Sequence, residues 1–500
     1  MKRIFNKYIY ALLVALITIS FVACDDFLDR SPQGNPTSDD DVSGGVEAKI
    51  FGVYSKMRGY DITAGIPAFA IHMFRSEDSE KGSTETDGDD QAAFWDNFEY
   101  NATNGILGTY WNYNYSIIHE CNTAIDTLQK MDNPELKSLE AEAKFFRAYC
   151  YFNLVRAWGE VPKIDFAIGG DVSKANIPKS PVSDIYTLID EDLTFAEQNL
   201  PISWEDKYIG RLTWGAARSL HARTYMMRND WSNMLAASRD VINSNIYNLN
   251  TPVDQVFTDT GENCGESIFE LQCTATAASP ASVAIGSQFC QVQGVRGSGQ
   301  WNLGWGWHMG TTQLGEAFEE GDPRKDATLL YFMAPGSQAP EGGLNKPYGE
   351  SPESEAMGAY FNKKAYTNPT MRSRYTREGF WVNIRIIRYP DVLLMAAEAS
   401  NELGGETNIT NALEYLEKVR SHARGGNTLI LPEVTTTDQA LLREAIQHER
   451  RVELALEPDR FYDLVRWGTA TEVLHAAGKT NYQDKHRLLP IPQTEIDKSN

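Results

Sequence analysis

Residues 139–162 read LEAEAKFFRAYCYFNLVRAWGEVP, and this stretch carries the strongest structural signal in the chain. Apolar side chains recur at spacings of three and four from Leu139 to Trp158, which is the period of an amphipathic α-helix. Gly159 then provides a residue that readily adopts a helix C-cap conformation, and Pro162 prevents continuation of the helix. The stretch therefore predicts one long helix with a broad apolar face.

A second amphipathic pattern precedes it at residues 110–130, so the two helices are expected to form an antiparallel hairpin. The same pattern returns later in the chain. It predicts three further helical pairs, 183–200 with 213–228, 390–403 with 411–424, and 437–457 with 460–467, and a single helix at 231–244. We interpret these as four degenerate tetratricopeptide-like hairpins, because no strict period of about 34 residues relates them. A plain helical bundle is the alternative, and either arrangement is mostly α.

Two segments lack helical periodicity, residues 59–109 and 245–385. The longer one is rich in Gly, Ser, Thr, Gln and aromatic residues and contains only short apolar runs. Irregular segments of this length within a compact protein usually carry function. We therefore expect helical repeats at about 46–244 and 386–468 to form the scaffold, and the irregular insertion at about 245–385 to carry the ligand site.

Composition excludes several classes of protein. The 500 residues are 42% hydrophobic, which is enough to bury a sizeable core and excludes wholesale disorder. Asp and Glu number 68 against 46 Lys and Arg, giving a formal net charge of -22. This charge makes binding to a phosphate backbone unfavourable, so we expect no nucleic-acid partner, and it disfavours acidic polysaccharides as ligands.

The N-terminus has the features of an export signal. Basic residues precede an apolar run at residues 8–22, which is too short to span a membrane comfortably. Ala23-Cys24 ends that run and resembles a lipobox, so we expect residues 1–23 to be a lipoprotein signal peptide and Cys24 to be lipidated. A plain secretory signal is the alternative. Residues 24–45, rich in Gly, Pro, Asn and Asp, would form a tether before a single domain at 46–500.

Several motifs together resemble the SusD/RagB family of surface nutrient-binding lipoproteins. The matching stretches are AEAKFFRAY and FNLVRAWGEVP within 141–162, RYPDVLLMAAEA at 388–399, HERRVEL at 448–454, RFYDLVRWG at 460–468, LPIPQ at 489–493, CDDFLD at 24–29 and GDPRKD at 321–326. The resemblance implies a scaffold of four tetratricopeptide-like hairpins with an irregular ligand-binding region. It also implies an outer-membrane lipoprotein, facing the cell exterior, that partners a SusC-like TonB-dependent transporter.

The segment WNLGWGWH at residues 301–308 is the strongest candidate for a sugar site. Flat indole faces suit the apolar side of sugar rings, and a nearby amide such as Asn302 can bond hydroxyl groups. We predict ligand binding by Trp301, Asn302 and Trp305, with the Trp301 ring facing outward. At least one of Trp305 and Trp307 is expected to pack beneath the loop, Trp307 in particular. Trp95, in the other irregular segment, is open between a ligand platform and a core residue.

Other side-chain groups yield weaker hypotheses. The acidic stretch at 77–90 could bind calcium, but it lacks EF-hand spacing and is better interpreted as a solvated loop. A disulfide between Cys264 and Cys273 is possible, whereas the remaining cysteines of the body are expected to be small buried residues. No motif points to a cofactor or to a metal site.

Paired carboxylates raise the question of an enzyme. Glu319 with Glu320, or Glu449 with Glu453, could in principle serve glycoside hydrolysis. The second pair has helical spacing among several arginines, which favours a structural salt-bridge network. We therefore expect a non-enzymatic glycan-binding lipoprotein that delivers oligosaccharides to its transporter. A peptide-binding RagB-type lipoprotein is one alternative, and a glycoside hydrolase on a helical scaffold is a more remote one.

Overall fold

A computed structural model describes residues 45–83, 90–169, 177–331, 347–350 and 360–498. The described chain is mostly helical, as predicted. Its α-helices are α1 Gly45–Met57, α2 Ile66–His72, α3 Asp90–Asp96, α4 Gly105–Met131, α5 Lys137–Trp158, α6 Val182–Asn199, α7 Trp214–Met227, α8 Trp231–Asn243, α9 Phe289–Gln293, α10 Thr312–Ala317, α11 Pro323–Thr328, α12 Pro369–Arg374, α13 Tyr389–Leu403, α14 Glu406–Arg424, α15 Gln439–Glu453, α16 Arg460–Trp467, α17 Ala470–Ala476 and α18 Gln493–Lys498. A π-helix, Tyr60–Ala64, joins α1 to α2.

Short strands and 3₁₀ turns complete the described chain. The strands are β1 Ser79–Gly82, β2 Val161–Pro162, β3 Lys179–Ser180, β4 Ser267–Leu271, β5 Trp307–Gly310, β6 Leu329–Tyr331, β7 Tyr360–Asn362 and β8 Ile384–Arg388. They form four antiparallel two-stranded sheets, β1 with β5, β2 with β3, β4 with β8 and β6 with β7. The 3₁₀ turns are Pro134–Leu136, Asp206–Tyr208, Asp259–Gly261, Gly299–Trp301, Pro347–Gly349, Lys363–Ala365 and Asp484–Arg487.

The long helices predicted from periodicity are all confirmed, with ends that differ by a few residues. Helix α4 begins a turn earlier than predicted because the Asn104 side chain caps it, accepting a hydrogen bond from the Ile106 N–H at 3.1 Å. The helix predicted over 437–457 ends at Glu453. Ala217 and Ala222 are both fully buried on α7.

The helical scaffold is continuous in space although it is interrupted in sequence. Helices α4 to α8 pack against one another in succession, and α8 also packs against α13. Helix α13 then packs against α14 and α15. Between α8 and α13 the described chain forms only short helices, 3₁₀ turns and strands, so the irregular segment leaves the scaffold and returns to it beside α8.

Buried ion pairs connect neighbouring helices of this scaffold. Arg147 on α5 pairs with Asp192 on α6 at 2.7 Å, and Arg223 on α7 pairs with Asp391 on α13 at 2.7 Å. Desolvated charges are tolerated only when they are paired in good geometry, so each pair specifies how two helices meet. Arg147 and Asp391 belong to stretches that carry the family resemblance, which gives those stretches a structural role.

Pairing of β1 with β5 brings the two irregular segments together. Gly82 lies opposite Trp307 and Ser79 lies opposite Gly310 in this sheet. Residues near position 60 and residues near position 300 consequently share one region of the surface. In the described part of the chain, no helix is both long enough and apolar enough to cross a membrane.

Candidate functional site

A cleft of about 910 Å³ opens where the two irregular segments meet, and we call it the aromatic cleft. Its volume lies within the range of small-molecule sites, roughly 300 to 1,000 Å³. The lining residues used below are Tyr60, Asp61, Thr109, Arg296, Asn302, Trp305 and Trp307. The cleft therefore contains two of the predicted ligand-binding residues, Asn302 and Trp305.

The backbone of the π-helix determines the position of Tyr60 in the cleft. The Ala64 N–H donates to the Gly59 carbonyl at 3.1 Å, which is the wide spacing of a π-helix. Gly65 follows immediately, and a Cβ atom at that position would lie 2.4 Å from the Tyr60 ring. The absence of a side chain at Gly65 thus lets the ring of Tyr60 pack close to the backbone.

Trp305 is held by the backbone of its loop while its ring remains accessible. Its N–H donates to the Gln291 carbonyl at 2.8 Å, and the Gly306 N–H donates to the Gly294 carbonyl at 2.9 Å. The side chain of Trp305 is 36% exposed. Its ring centroid lies 6.2 Å from that of Tyr60, with 60° between the ring planes. The two rings form an angled aromatic surface at the cleft.

Polar side chains lie beside these rings. Asp61 is half-buried, and its desolvation raises the pKa of the carboxyl group above its usual value. Neither the Asp61 carboxylate nor the Asn302 amide forms a side-chain hydrogen bond with the residues that the structure describes. Both residues line the cleft, and both side chains can form hydrogen bonds with a ligand. Aromatic faces next to such groups are suited to binding sugars.

The expectation that Trp301 faces outward is wrong. Its side chain is fully buried and belongs to a small core with Leu303, Met309 and Phe361. Its ring lies 5.9 Å from the ring of Tyr366. Burial of the indole against this core explains why Trp301 cannot serve as an open platform.

Trp307 packs beneath the loop, as predicted, and is 3% exposed. Trp95, which the sequence left open, is a core residue. Its ring stacks on Tyr100 at a centroid distance of 4.2 Å, and its indole N–H donates to Asn104 at 3.4 Å. Of the three indoles predicted to bind ligand, only Trp305 is exposed, and ligand binding by Trp305 and Asn302 stays a prediction.

Tyr60, Asp61 and Thr109 were not identified from the sequence. Tyr60 and Asp61 are adjacent, so the only local signal was an aromatic and an acidic residue following Gly59 in an irregular segment. That signal is common on protein surfaces. They are candidate site residues because they lie close to Trp305, and the π-helix packs against α9, which holds the Trp305 backbone.

The prediction of a solvated acidic loop is wrong for Glu77 and Asp78, whereas Glu80 in the same stretch is exposed. Glu77 and Asp78 are buried, and they accept hydrogen bonds from Arg460 at 2.9 Å and Arg451 at 3.0 Å. Both carboxylates are therefore used in ion pairs within the protein. In the ranges that the structure describes, no cluster of His, Cys, Asp or Glu is suited to a metal ion, and residues 84–89 of the stretch lie outside those ranges.

The remaining side-chain hypotheses are resolved by burial and pairing. Cys264 and Cys273 are free thiols, so the possible bridge is absent from this structure. Glu449 is fully buried, and it accepts from Arg324 at 2.5 Å and from Arg420 at 2.7 Å. The salt-bridge network predicted around it is confirmed, although these two partners come from other segments than its own helix.

Glu453 belongs to the same network. Burial disfavours its charged form, but Arg388 and Arg324 outweigh that effect and lower the pKa of Glu453 to about 2. Arg388 donates to it at 3.0 Å. A permanently ionised, enclosed carboxylate of this kind is suited to structure and not to proton transfer. Cys24, the expected lipidation site, lies outside the described residues.

Comparisons with known proteins agree along most of the chain. A family model described as the SusD family matches residues 308–500, and one described as starch-binding associating with outer membrane matches residues 26–226. A SusD-like protein of Formosa agariphila is 28% identical to this chain, covering 98% of it and 97% of the relative. A SusD-like protein of Bacteroides ovatus is 25% identical, covering 93% and 83% respectively.

Solved structures share the architecture. A laminarin-binding SusD-like protein superimposes with a TM-score of 0.73 at 26% identity, covering 91% of this chain and 97% of that one. The surface glycan-binding protein A from Bacteroides thetaiotaomicron, in complex with laminarihexaose, has a TM-score of 0.74 at 24% identity, with 92% and 98% coverage. The second likeness concerns the fold alone.

Proposed function

Because the chain belongs to the SusD family, we propose that it is a cell-surface lipoprotein that binds glycans in the aromatic cleft. It captures oligosaccharides and delivers them to a SusC-like TonB-dependent transporter in the outer membrane. Cys24 carries the lipid anchor, and the described domain faces the cell exterior. The protein itself performs no chemistry on the glycan.

The observation that carries this proposal is the pairing of Tyr60 with Trp305 beside Asp61 and Asn302 in one cleft. Two angled rings can contact the apolar faces of successive sugar units, while the carboxylate and the amide bond to hydroxyl groups. The laminarin-binding relative supports a glycan as the class of ligand. A neutral β-glucan of the laminarin type is therefore the first ligand to test.

The composition of the cleft supports binding without hydrolysis. Glycoside hydrolysis generally needs two carboxyl groups that flank the scissile bond. Among the described residues that line the aromatic cleft, Asp61 is the only carboxylate. Glu449 and Glu453, the pair considered from the sequence, are enclosed in ion pairs elsewhere.

Calorimetric titration of the purified lipoprotein in detergent tests the proposal. Laminarin, amylopectin and galactomannan represent glycans, and a tryptic peptide mixture represents the peptide alternative. Trp305→Ala and Tyr60→Ala should each weaken glycan binding about tenfold, since each removes a ring that contacts sugar, at roughly 1 to 3 kcal/mol. Phe51→Ala is the matched control, because Phe51 is an aromatic residue with 42% exposure outside the cleft.

Each outcome has a distinct meaning. Glycan affinity that survives both cleft substitutions would move the site elsewhere. Binding of peptides in place of glycans would favour a RagB-type role, and release of reducing ends from a bound glycan would indicate an enzyme. Co-purification of a TonB-dependent transporter with the tagged lipoprotein is the expected result for the partner, and its absence from mild-detergent extracts would contradict the delivery step.

A further inference from the structure

We propose that Asp61 makes the aromatic cleft selective for uncharged glycans over sulfated or uronic-acid glycans. This inference rests on the proposed glycan-binding function and adds a class of substrate to it. The net charge of -22 disfavours acidic polysaccharides in general, and this inference assigns the preference for uncharged glycans to the Asp61 side chain.

The position of Asp61 is the first argument. Asp61 directly follows Tyr60 in the π-helix and lines the same cleft as Trp305. A ligand that fills the cleft therefore lies beside Asp61 as well as beside the two rings. Since Asp61 forms no hydrogen bond or ion pair with the residues that the structure describes, its charge is presented to the ligand without compensation by a partner of its own.

The neighbouring charged groups are the second argument. Arg296 also lines the cleft and donates from Nη1 to the Ser83 hydroxyl at 2.8 Å, and the Lys81 ammonium lies 4.8 Å from the centre of the Trp307 ring. Burial, together with the charges of Asp61 and Glu120, raises the pKa of Tyr113. Asp61 is the only carboxylate among the described residues that line the cleft, and its charge acts on the Tyr113 hydroxyl group as well.

The chemistry of the ligand is the third argument. A sugar hydroxyl can donate a hydrogen bond to the Asp61 carboxylate, and a bond to an ionised acceptor is stronger than one between neutral groups. A sulfate or carboxylate group has no proton to donate and is repelled, most strongly where water is partly excluded. Asp61 thus favours one class of ligand and opposes another, which is how specific sites discriminate.

Affinity electrophoresis of the purified lipoprotein provides the test. The probes are laminarin, amylopectin and galactomannan, each compared with its own sulfated derivative so that the backbone is constant. Wild-type protein should bind a neutral glycan at least about tenfold more tightly than its sulfated form. Asp61→Asn keeps the size of the side chain but replaces an ionised acceptor with a neutral one, so it should weaken neutral binding about fivefold and strengthen binding of the sulfated form about fivefold.

Asp126→Asn is the matched control, because it removes the same charge from an exposed position on α4 where Asp126 pairs with Lys130. It should leave both affinities unchanged. Equal wild-type affinity for the neutral and sulfated forms would overturn the inference. So would a ratio of neutral to sulfated affinity that does not change in Asp61→Asn, or that changes by the same factor in Asp126→Asn. Failure of the wild-type protein to bind any of the six probes would overturn the proposed function, and this inference with it.

Discussion

The ring of Tyr60 lies 6.2 Å from the ring of Trp305, although the two residues belong to different irregular segments. The π-helix that carries Tyr60 packs against α9, and the Gln291 carbonyl of α9 accepts the backbone hydrogen bond of Trp305. The candidate site is therefore assembled from two irregular segments together with the start of α4, which contributes Thr109 to the lining. Its geometry should respond to small changes in either loop.

Trp301 and Trp305 lie in the same loop, but their substitution should have different effects. One should lower stability and the other should lower glycan affinity. Trp301→Ala removes a fully buried ring and should lower the free energy of unfolding by about 3 to 5 kcal/mol. Trp305→Ala should lower glycan affinity and leave the melting temperature nearly unchanged, because its ring is partly in solvent. Thermal melts of both variants beside calorimetric titrations measure the contrast. Equal stability of the two variants would contradict the burial of Trp301.

Gly65→Ala should weaken glycan binding by displacing Tyr60. The added methyl group would lie 2.4 Å from the ring, so the ring must move. We expect about a fivefold loss of affinity, corresponding to about 1 kcal/mol. Gly108→Ala on α4 is the control, since a Cβ there meets its nearest neighbour at 3.7 Å. Unchanged affinity in Gly65→Ala would show that the Tyr60 ring need not be held in place.

Arg324→Met should destabilise the protein strongly. It leaves the fully buried Glu449 without one of its two cationic partners, and breaking a buried pair costs about 3 to 5 kcal/mol. Arg443→Met is the comparison, because Arg443 is 38% exposed and its pair with Glu402 should contribute less than about 1 kcal/mol. Urea unfolding of both variants checks the difference. Similar midpoints would argue against a structural role for the buried network.

His221 should make stability dependent on pH. Burial opposes its charged form, but hydrogen bonds to Asp190 at 3.2 Å and Glu197 at 2.7 Å outweigh burial and raise the pKa of His221. Because the folded pKa exceeds the unfolded value of about 6.5, the stabilisation is complete below that value and is lost as pH rises through the folded pKa. The wild-type protein should therefore exceed His221→Gln in stability by more at acidic pH than at alkaline pH.

Urea unfolding at about pH 6 and about pH 9 measures this effect, on either side of the unfolded pKa. Arg218 and Arg228 are the cations packed near the same carboxylates, and they remain charged throughout this range. Replacement of the exposed His119 by Gln should change stability by less than about 0.5 kcal/mol at either pH. A difference between wild type and His221→Gln that does not vary with pH would refute the prediction.

Cys24→Ala should abolish membrane anchoring. Without the thiol there is no site for acylation, so the protein should either be released or retain its signal peptide. Palmitate labelling and membrane fractionation of the variant test this, with Cys264→Ala as a cysteine substitution outside the lipobox. Continued labelling of Cys24→Ala would place the lipid on another residue.

The amino-acid sequence alone determined the helical scaffold. Local periodicity is enough to define helices such as α4 and α5, because the burial of one helix face leaves a repeating apolar pattern within a single segment. The cluster of indoles likewise indicated a loop that lines the aromatic cleft, and ligand binding by that loop stays a prediction. The same reasoning placed Glu449 in a salt-bridge network, although the identity of its partners Arg324 and Arg420 required the folded chain.

The direction of each ring in that loop was decided by tertiary structure. Trp305 and Trp307 are two residues apart and would share a face in a regular strand, yet one is exposed and the other is buried. Gly306 between them has a φ of 71°, a left-handed conformation that breaks the alternation. Tyr60 and Asp61 became candidate site residues only through the long-range packing of the π-helix against α9. Irregular segments have no period that records such pairings, so contacts between distant residues determine the site.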